Sequence, residues 1–366
     1  MTTSSTASGP LAGLRVVEFA GIGPGPFACM LLSDMGADVV TIDRPTRKLG
    51  DHNNITGRGR SVVLADLKDP AAREDVMALL EQADVLVEGF RPGVMERLGF
   101  GPDVVAARNP RLVYGRMTGW GQHGPLAQAA GHDLNYISIA GALHAIGPAG
   151  GAPVPPLNLV GDYGGGSLYL IVGILAALHE ARRSGRGQVV DAAMSDGVIS
   201  LMSNFVSHAR RGLFKEERGS NGLDGGAPYY RTYETADGQY ISVGSIEPQF
   251  FKDLCERVGL PASLHGSQLD RTRWPEMHAE FERIFRSKTR DEWVAQLEGT
   301  DVCFAPVLPL SEVPSHPHNL ARQAFVDVEG VSHPAPAPRF SRTPSAIQGP
   351  TPATAVTAQA VRARWA

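Results

Sequence analysis

Two short segments of this sequence combine an ionisable side chain with the start of a helix. One is Gly131-His132-Asp133-Leu134-Asn135-Tyr136, which opens the apolar stretch YISIAGALHAIG. The other is Gly161-Asp162-Tyr163-Gly164-Gly165-Gly166-Ser167, which runs into the apolar stretch from Leu168. Unpaired N–H groups and the macrodipole at a helix start favour negative charge, so each is a place where an acid or base can be tuned. Taken singly, both have a plain structural reading: Asp is a common N-cap, and a lone His usually serves the fold. The three glycines shift the balance for Asp162. Each weakens a helix by up to about 1 kcal/mol relative to alanine. A ligand that must approach the backbone closely would explain that cost. A thioester carbonyl is such a ligand, because backbone N–H groups can stabilise a developing enolate oxygen.

The elements that must position these residues read as alternating strands and helices. Leu14–Ala20 is a short apolar run rich in β-branched residues, followed by Gly-Ile-Gly-Pro-Gly-Pro and a helical stretch, Phe27–Met35, that stops at Gly36. Ala37–Asp43 is a second strand, Asp69-Pro70 starts a helix, and Asp84–Glu88 and Arg111–Met117 are further strands. Such alternation predicts a parallel sheet covered by helices. Helical text runs from Ala192 to Arg211. After it, Tyr229–Thr235 and Gln239–Gly244 flank Ala236-Asp237-Gly238 as a β-hairpin, with helices around Pro248–Val258 and Arg290–Glu298. The expected organisation is a large Rossmann-like α/β domain (1–190 and 335–366), a linker (191–228), a small α+β domain (229–316) and a return linker (317–334).

Composition narrows the class. The 366 residues are 43% hydrophobic and 20% charged, which fits a soluble globular protein. A net charge of −4 gives no reason to expect nucleic acid. Cys29, Cys255 and Cys303 lie far apart, too few for a disulfide framework and wrongly spaced for structural zinc, so a reducing cytoplasm is expected. The N-terminus shows no secretion signal, and the apolar run Leu168–Leu178 falls short of the roughly 18 residues that span a bilayer. No membrane association is expected.

Three cofactor chemistries can be weighed on motifs. Gly21-Ile22-Gly23-Pro24-Gly25-Pro26 imitates a dinucleotide fingerprint, with Asp43 at the end of the second strand. The third glycine of that fingerprint is replaced by Pro26, which cannot serve close helix–strand packing, so NAD is not expected. The histidines form no HExxH or comparable metal motif. Lys48, Lys68, Lys215, Lys252 and Lys288 fall in no pyridoxal motif. The expectation is therefore no metal and no separate cofactor.

Over nearly its whole length the chain resembles the alpha-methylacyl-CoA racemases of the family III CoA-transferase (CaiB/BaiF) superfamily. The resemblance is carried by GPLAGLRVVEFAGIGPGP, ADVVTIDRP, ADLK, ADVLVEGFRPGVMERLG, MTGWGQHGP, AGHDLNYI, PLNLVGDYGGGS, GQVVDAAM, DGGAPYY and APRFSRTP. It implies that His132 and Asp162 are opposed bases, one removing the α-proton of an acyl-CoA while the other donates to the far side. It implies that Glu247 orients the histidine, and that Arg44, Lys68, Arg91 and Arg97 contact CoA phosphates, with Ala65, Asp66 and Leu67 as the adenine seat. Further substrate contacts implied are Gly89, Phe90, Gly131, Asp133, Leu134, Asn135, Tyr136, Tyr163, Gly164, Gly165 and Gly166. It also implies an interlocked homodimer, in which Glu247 acts on His132 of the other chain. A CoA-transferase of the same superfamily, using Asp162 as nucleophile, is the main alternative. His132 distinguishes them, because inversion needs a second proton donor. A non-catalytic acyl-CoA-binding protein would have no reason to keep the pair.

Overall fold

The computed structural model describes residues 8–366. Its large unit is built on six parallel strands: β1 (Arg15–Phe19), β2 (Asp38–Asp43), β3 (Arg60–Leu64), β4 (Val85–Glu88), β5 (Val113–Thr118) and β6 (Val189–Ala193). They lie in the order β3-β2-β1-β4-β5-β6, all pairs parallel. Side-chain alternation explains why both faces are apolar. Val16, Val39, Val85 and Val113 face one layer of helices, and Val17, Val40 and Leu86 the other. The first layer holds α1 (Pro24–Asp34) and the helix Leu168–Ser184. The second holds α2 (Pro70–Leu80), capped by Asp69, and the terminal helix Ala358–Trp365.

Order β1 between β2 and β4 means that the chain reverses its direction of travel across the sheet after β3. Connections from β1 and β4 therefore leave on opposite sides and open a crevice at the carboxyl edge. Short helices α3 (Val94–Leu98) and α4 (Pro102–Arg108) follow β4, and α5 (Asp133–Ile139) follows β5. The stretch expected as one helix from Tyr136 breaks at Gly141, whose φ of 83° lies in the left-handed region.

The second unit comprises residues 141–155 and 203–316. It carries the hairpin β7 (Tyr230–Glu234) and β8 (Tyr240–Gly244), extended by β9 (Phe304–Pro306), all antiparallel. Helices Pro248–Val258, Trp274–Phe285 and Arg290–Leu297 bury Phe251, Phe281, Phe285 and Trp293 against it.

Two expected linkers are not linkers. Residues 191–228 complete β6, form the helix Met194–Leu201 in the large unit, and then enter the second unit as the helix Ser203–Arg210. Residues 317–334 belong to the large unit and contain a hairpin, β10 (Phe325–Val328) and β11 (Val331–Pro334). Arg58, fully buried, ties that hairpin down by pairing with Asp34 at 2.5 Å and donating to Pro334 O at 2.8 Å. The segment Leu159–Ser184 is 26 residues of continuous helix, long and apolar enough to cross a membrane by length and composition. Its buried residues Leu170 and Ile174 instead pack on β5, where a Cβ at Gly115 would stand 3.0 and 3.2 Å from them.

Candidate active site

The crevice predicted by strand order is a cavity of about 640 Å³. The β1 end supplies Gly21–Pro26 to its wall, the β4 end Gly89, Phe90 and Arg91, and the β5 end Thr118, Gly119 and Trp120. His132, Asn135, Tyr136, Asp162 and Met194 also line it.

His132 is the N-cap residue of α5, in extended conformation, and is exposed to the cavity. Its backbone N–H donates to Asn135 Oδ1 at 3.0 Å, which fixes the entry of the chain into the helix. Tyr136, one turn on, is buried edge-to-face against Trp120 with centroids 4.7 Å apart, and its hydroxyl donates to Gly131 O.

Asp162 stands in the first turn of a π-helical segment, Leu159–Ser167, that leads directly into the helix Leu168–Ser184. Wide π turns recur at functional sites. The Asp162 carboxyl is half-buried, and burial pushes its pKa above the ordinary carboxylate value. The Asn158 side chain opposes this by donating to Asp162 Oδ2 at 3.1 Å, the Asp133 carboxylate adds to the rise, and His132 pulls downward. Asp133 is buried, and its Oδ2 accepts the Asp162 backbone N–H at 2.7 Å. One carboxylate thus ties the start of α5 to the turn bearing Asp162. A half-buried carboxyl with a raised pKa, opening with an imidazole onto one cavity, can exchange protons with a bound substrate.

The three glycines have a different cause from the one expected. Gly165 and Gly166 are buried and line no part of the cavity. A Cβ at Gly165 would stand 2.9 Å from Met194 O, and one at Gly197 only 1.9 Å from Gly165 O. Gly165 and Gly197 let the π segment and the helix Met194–Leu201 touch backbone to backbone, while Gly166 makes room for the Met194 side chain. Gly165 and Gly166 do not face the cavity, and the Asp162 N–H is already taken by Asp133.

The other expected contacts divide. Gly89, Phe90, Arg91, Gly131, Asn135 and Tyr136 line the cavity. Leu134 points away and is 43% exposed, and Tyr163 stacks on Phe27 at 4.3 Å, so neither lines it. Gly164 does not line it either; a Cβ there would meet Leu159 O and Leu201 Cδ1. Arg44 directly follows β2, and Ala65, Asp66, Leu67 and Lys68 follow β3 in a turn closed by Asp66, so they share the carboxyl edge but not the cavity wall. Arg97 is exposed on α3. Glu247 belongs to the second unit, where it is the exposed N-cap residue of the helix Pro248–Val258.

Asn158 and Trp120 carry no motif of their own in the sequence, and Gly21–Pro26, which reads there only as a failed dinucleotide fingerprint, is a wall of the cavity. Asn158 had one signal, its i−4 spacing from Asp162 on a helix. Pro24 and Pro26 open α1 and contribute no N–H groups, which deprives that helix start of the donors a dinucleotide phosphate needs. Among the described residues no group of three or more His, Cys, Asp or Glu side chains could hold a metal ion.

Comparison with known proteins agrees with this architecture. Residues 11–355 match the family model CoA-transferase family III. The chain is 46% identical over 337 residues to an alpha-methylacyl-CoA racemase of Mus musculus, covering 92% of this chain and 87% of that protein. It is 43% identical over 338 residues to the Homo sapiens protein of the same name, with the same coverage. Among solved structures, a CAIB/BAIF family protein from Brucella suis superposes with a TM-score of 0.84 at 26% identity, covering 98% of this chain and all of that one.

Proposed function

The chain belongs to CoA-transferase family III, and from that premise we propose that it is a racemase of 2-methylacyl-CoA thioesters with His132 and Asp162 as its acid–base pair. One observation carries the reading: an imidazole at the head of α5 and a half-buried carboxyl on a π turn open onto the same cavity at the reversal point of the sheet. The near-full-length relatives named as racemases support the same reaction.

In the forward direction one base takes the C2 proton, the electron pair enters the thioester as an enolate, and the conjugate acid of the other base delivers a proton to the opposite face. No proton is gained or lost overall. The reverse direction exchanges the two roles, so the pair must hold one proton between them. The raised pKa of Asp162 brings its carboxyl closer to the imidazole range, which eases that sharing.

The CoA moiety would follow the carboxyl edge of the sheet. Strands lie about 4.8 Å apart, so β3 and β4 are separated by roughly 14 Å across three gaps. An extended pantetheine crosses that distance, with Arg44 and Lys68 beside the nucleotide end and Arg91 nearer the thioester. Family resemblance further supports an interlocked homodimer in which Glu247 of a second copy orients His132. A fully active monomer in sedimentation would refute that part. The three free thiols, two of them buried, support a cytoplasmic setting.

The test is isotopic. A single enantiomer of a 2-methylacyl-CoA incubated in deuterated water should gain deuterium at C2 and lose stereochemical purity. Transfer of CoA to an added carboxylic acid without exchange would instead identify Asp162 as a nucleophile and overturn the racemase.

A further inference from the structure

The segment Gly21–Pro26 is a wall with a cavity on each side. A second cavity of about 290 Å³ shares Gly21, Ile22, Gly23 and Pro26 with the first, and has Glu18, Thr41 and Arg60 behind it. On the front, Gly23 lies against Asp162, where a Cβ would come within 3.0 Å of Oδ2. The wall is the first turn of α1, and it lacks the usual means of holding such a turn. Its N-cap is Gly23, with no side chain to cap the helix, and Pro24 and Pro26 have no N–H groups.

Its carbonyls hold it instead. Pro24 O accepts from the buried Ser167 hydroxyl at 2.7 Å, which comes from the same π segment as Asp162. Pro26 O accepts from Arg60 Nη2 at 2.8 Å, and the same nitrogen donates to Thr56 O at 2.6 Å. Arg60 Nη1 pairs with Glu18 Oε2 at 2.5 Å, and that oxygen also accepts from the Thr41 hydroxyl at 2.6 Å. Both side chains are almost wholly buried, and Glu18 Oε1 and Arg60 Nε have no hydrogen-bond partner among the described residues. A buried pair left partly unsatisfied adds little stability. Its return is geometric: a planar fork that fixes three segments at once.

We propose that Arg60 is a positioning residue for Asp162: it holds the first turn of α1 from behind, and that turn sets how far the Asp162 carboxyl is shut off from water. The inference rests on the assignment of Asp162 as a catalytic base. His132, Asp133 and Tyr136 at the start of α5 and Asn158 just before the π segment are the polar and charged groups around that carboxyl. The α1 turn contributes none, only an apolar screen. Behind the screen, Glu18 and the buried thiol of Cys29 neighbour Arg60.

Arg60→Lys keeps the positive charge beside Glu18 but cannot reach both carbonyls with a rigid fork. A relaxed wall admits water to Asp162, so its pKa falls toward the ordinary value and the acid limb of the pH–rate profile moves to lower pH. Turnover falls about 10- to 100-fold, the scale of a displaced catalytic group, while KM changes little. The control is Arg58→Lys, an equally buried arginine whose contacts run to Asp34 and the return hairpin. It should lower stability without moving the acid limb. Glu18→Gln, which loosens the pair but keeps its shape, should move the limb the same way to a smaller extent, and it serves if Arg60→Lys does not fold. An unmoved acid limb in a folded Arg60 or Glu18 variant, or an equal shift in Arg58→Lys, overturns the proposal. Asp162→Asn assayed in parallel separates the two inferences: His132 can still exchange the C2 proton of the one enantiomer it faces, so if Asp162→Asn exchanges deuterium into both enantiomers, the base assignment has failed and not the bracing.

Discussion

Replacing Gly197 by alanine tests why the middle one of the three glycines after Tyr163, Gly165, has no side chain. The added Cβ would stand 1.9 Å from Gly165 O and 2.7 Å from Gly165 C, roughly 1.5 Å inside an ordinary contact. Both atoms it strikes are backbone, so no rotamer change relieves the clash, and the helix Met194–Leu201 must separate from the π segment. Overpacking of this kind costs about 1–3 kcal/mol. A 1.9 Å approach to rigid backbone lies at the upper end of that range, and alanine recovers at most about 1 kcal/mol through helix propensity, so a net loss of about 2 kcal/mol is expected. Gly164→Ala is the internal comparison. Its Cβ would meet Leu159 O at 3.1 Å and Leu201 Cδ1 at 3.5 Å, so strain and propensity nearly cancel, within about 1 kcal/mol of the parent. Hydrogen–deuterium exchange of residues 194–201 reads the local opening energy, and a loss of about 2 kcal/mol accelerates it roughly 30-fold. A urea titration should show the same ranking. Because Gly165 and Gly197 do not line the cavity, KM should stay close to the parent's. If Gly197→Ala and Gly165→Ala leave stability intact while KM for the thioester rises, the glycines present amides to the ligand and the packing account is wrong.

Two further outcomes follow from the site. Asp162→Asn should abolish turnover yet raise stability at neutral pH. Burial and Asp133 lift the folded-state pKa of Asp162 above its unfolded value, so the ionised carboxylate is a penalty present above the folded pKa and absent below the unfolded one. The gain in melting temperature should therefore fade as pH drops through the carboxylate range, and a gain that persists in acid would contradict this. Arg91→Ala should raise KM far more than it lowers kcat, and should flatten the salt dependence of kcat/KM, since Arg91 is exposed at the cavity where an anionic substrate enters. A drop confined to kcat would remove it from substrate binding.

The sequence by itself determined the alternation of short β-branched runs with capped helices, and so the parallel sheet. It also marked His132 and Asp162, because an ionisable residue next to a helix start is a local feature. β3 and β6 escaped notice: Arg60–Leu64 follows an arginine- and glycine-rich turn, and Val189–Ala193 runs straight into a helix, so neither carries its own punctuation. The boundaries at 191–228 and 317–334 failed for a related reason, since polar or proline-rich text says nothing about which sheet or unit a segment will join. Strand order belongs to tertiary structure, because it depends on long-range pairing of β1 with β4, and only that order creates the cavity that His132 and Asp162 share. The environment of Asp162 is equally non-local: Asn158 is near in sequence, but Asp133, Gly23 and the buried Arg60–Glu18 brace arrive from four other elements. The glycines show the difference most clearly. Their number was plain in the sequence, but their purpose was not, because what a missing Cβ makes room for is decided by whatever packs opposite, for Gly165 the backbone of another helix.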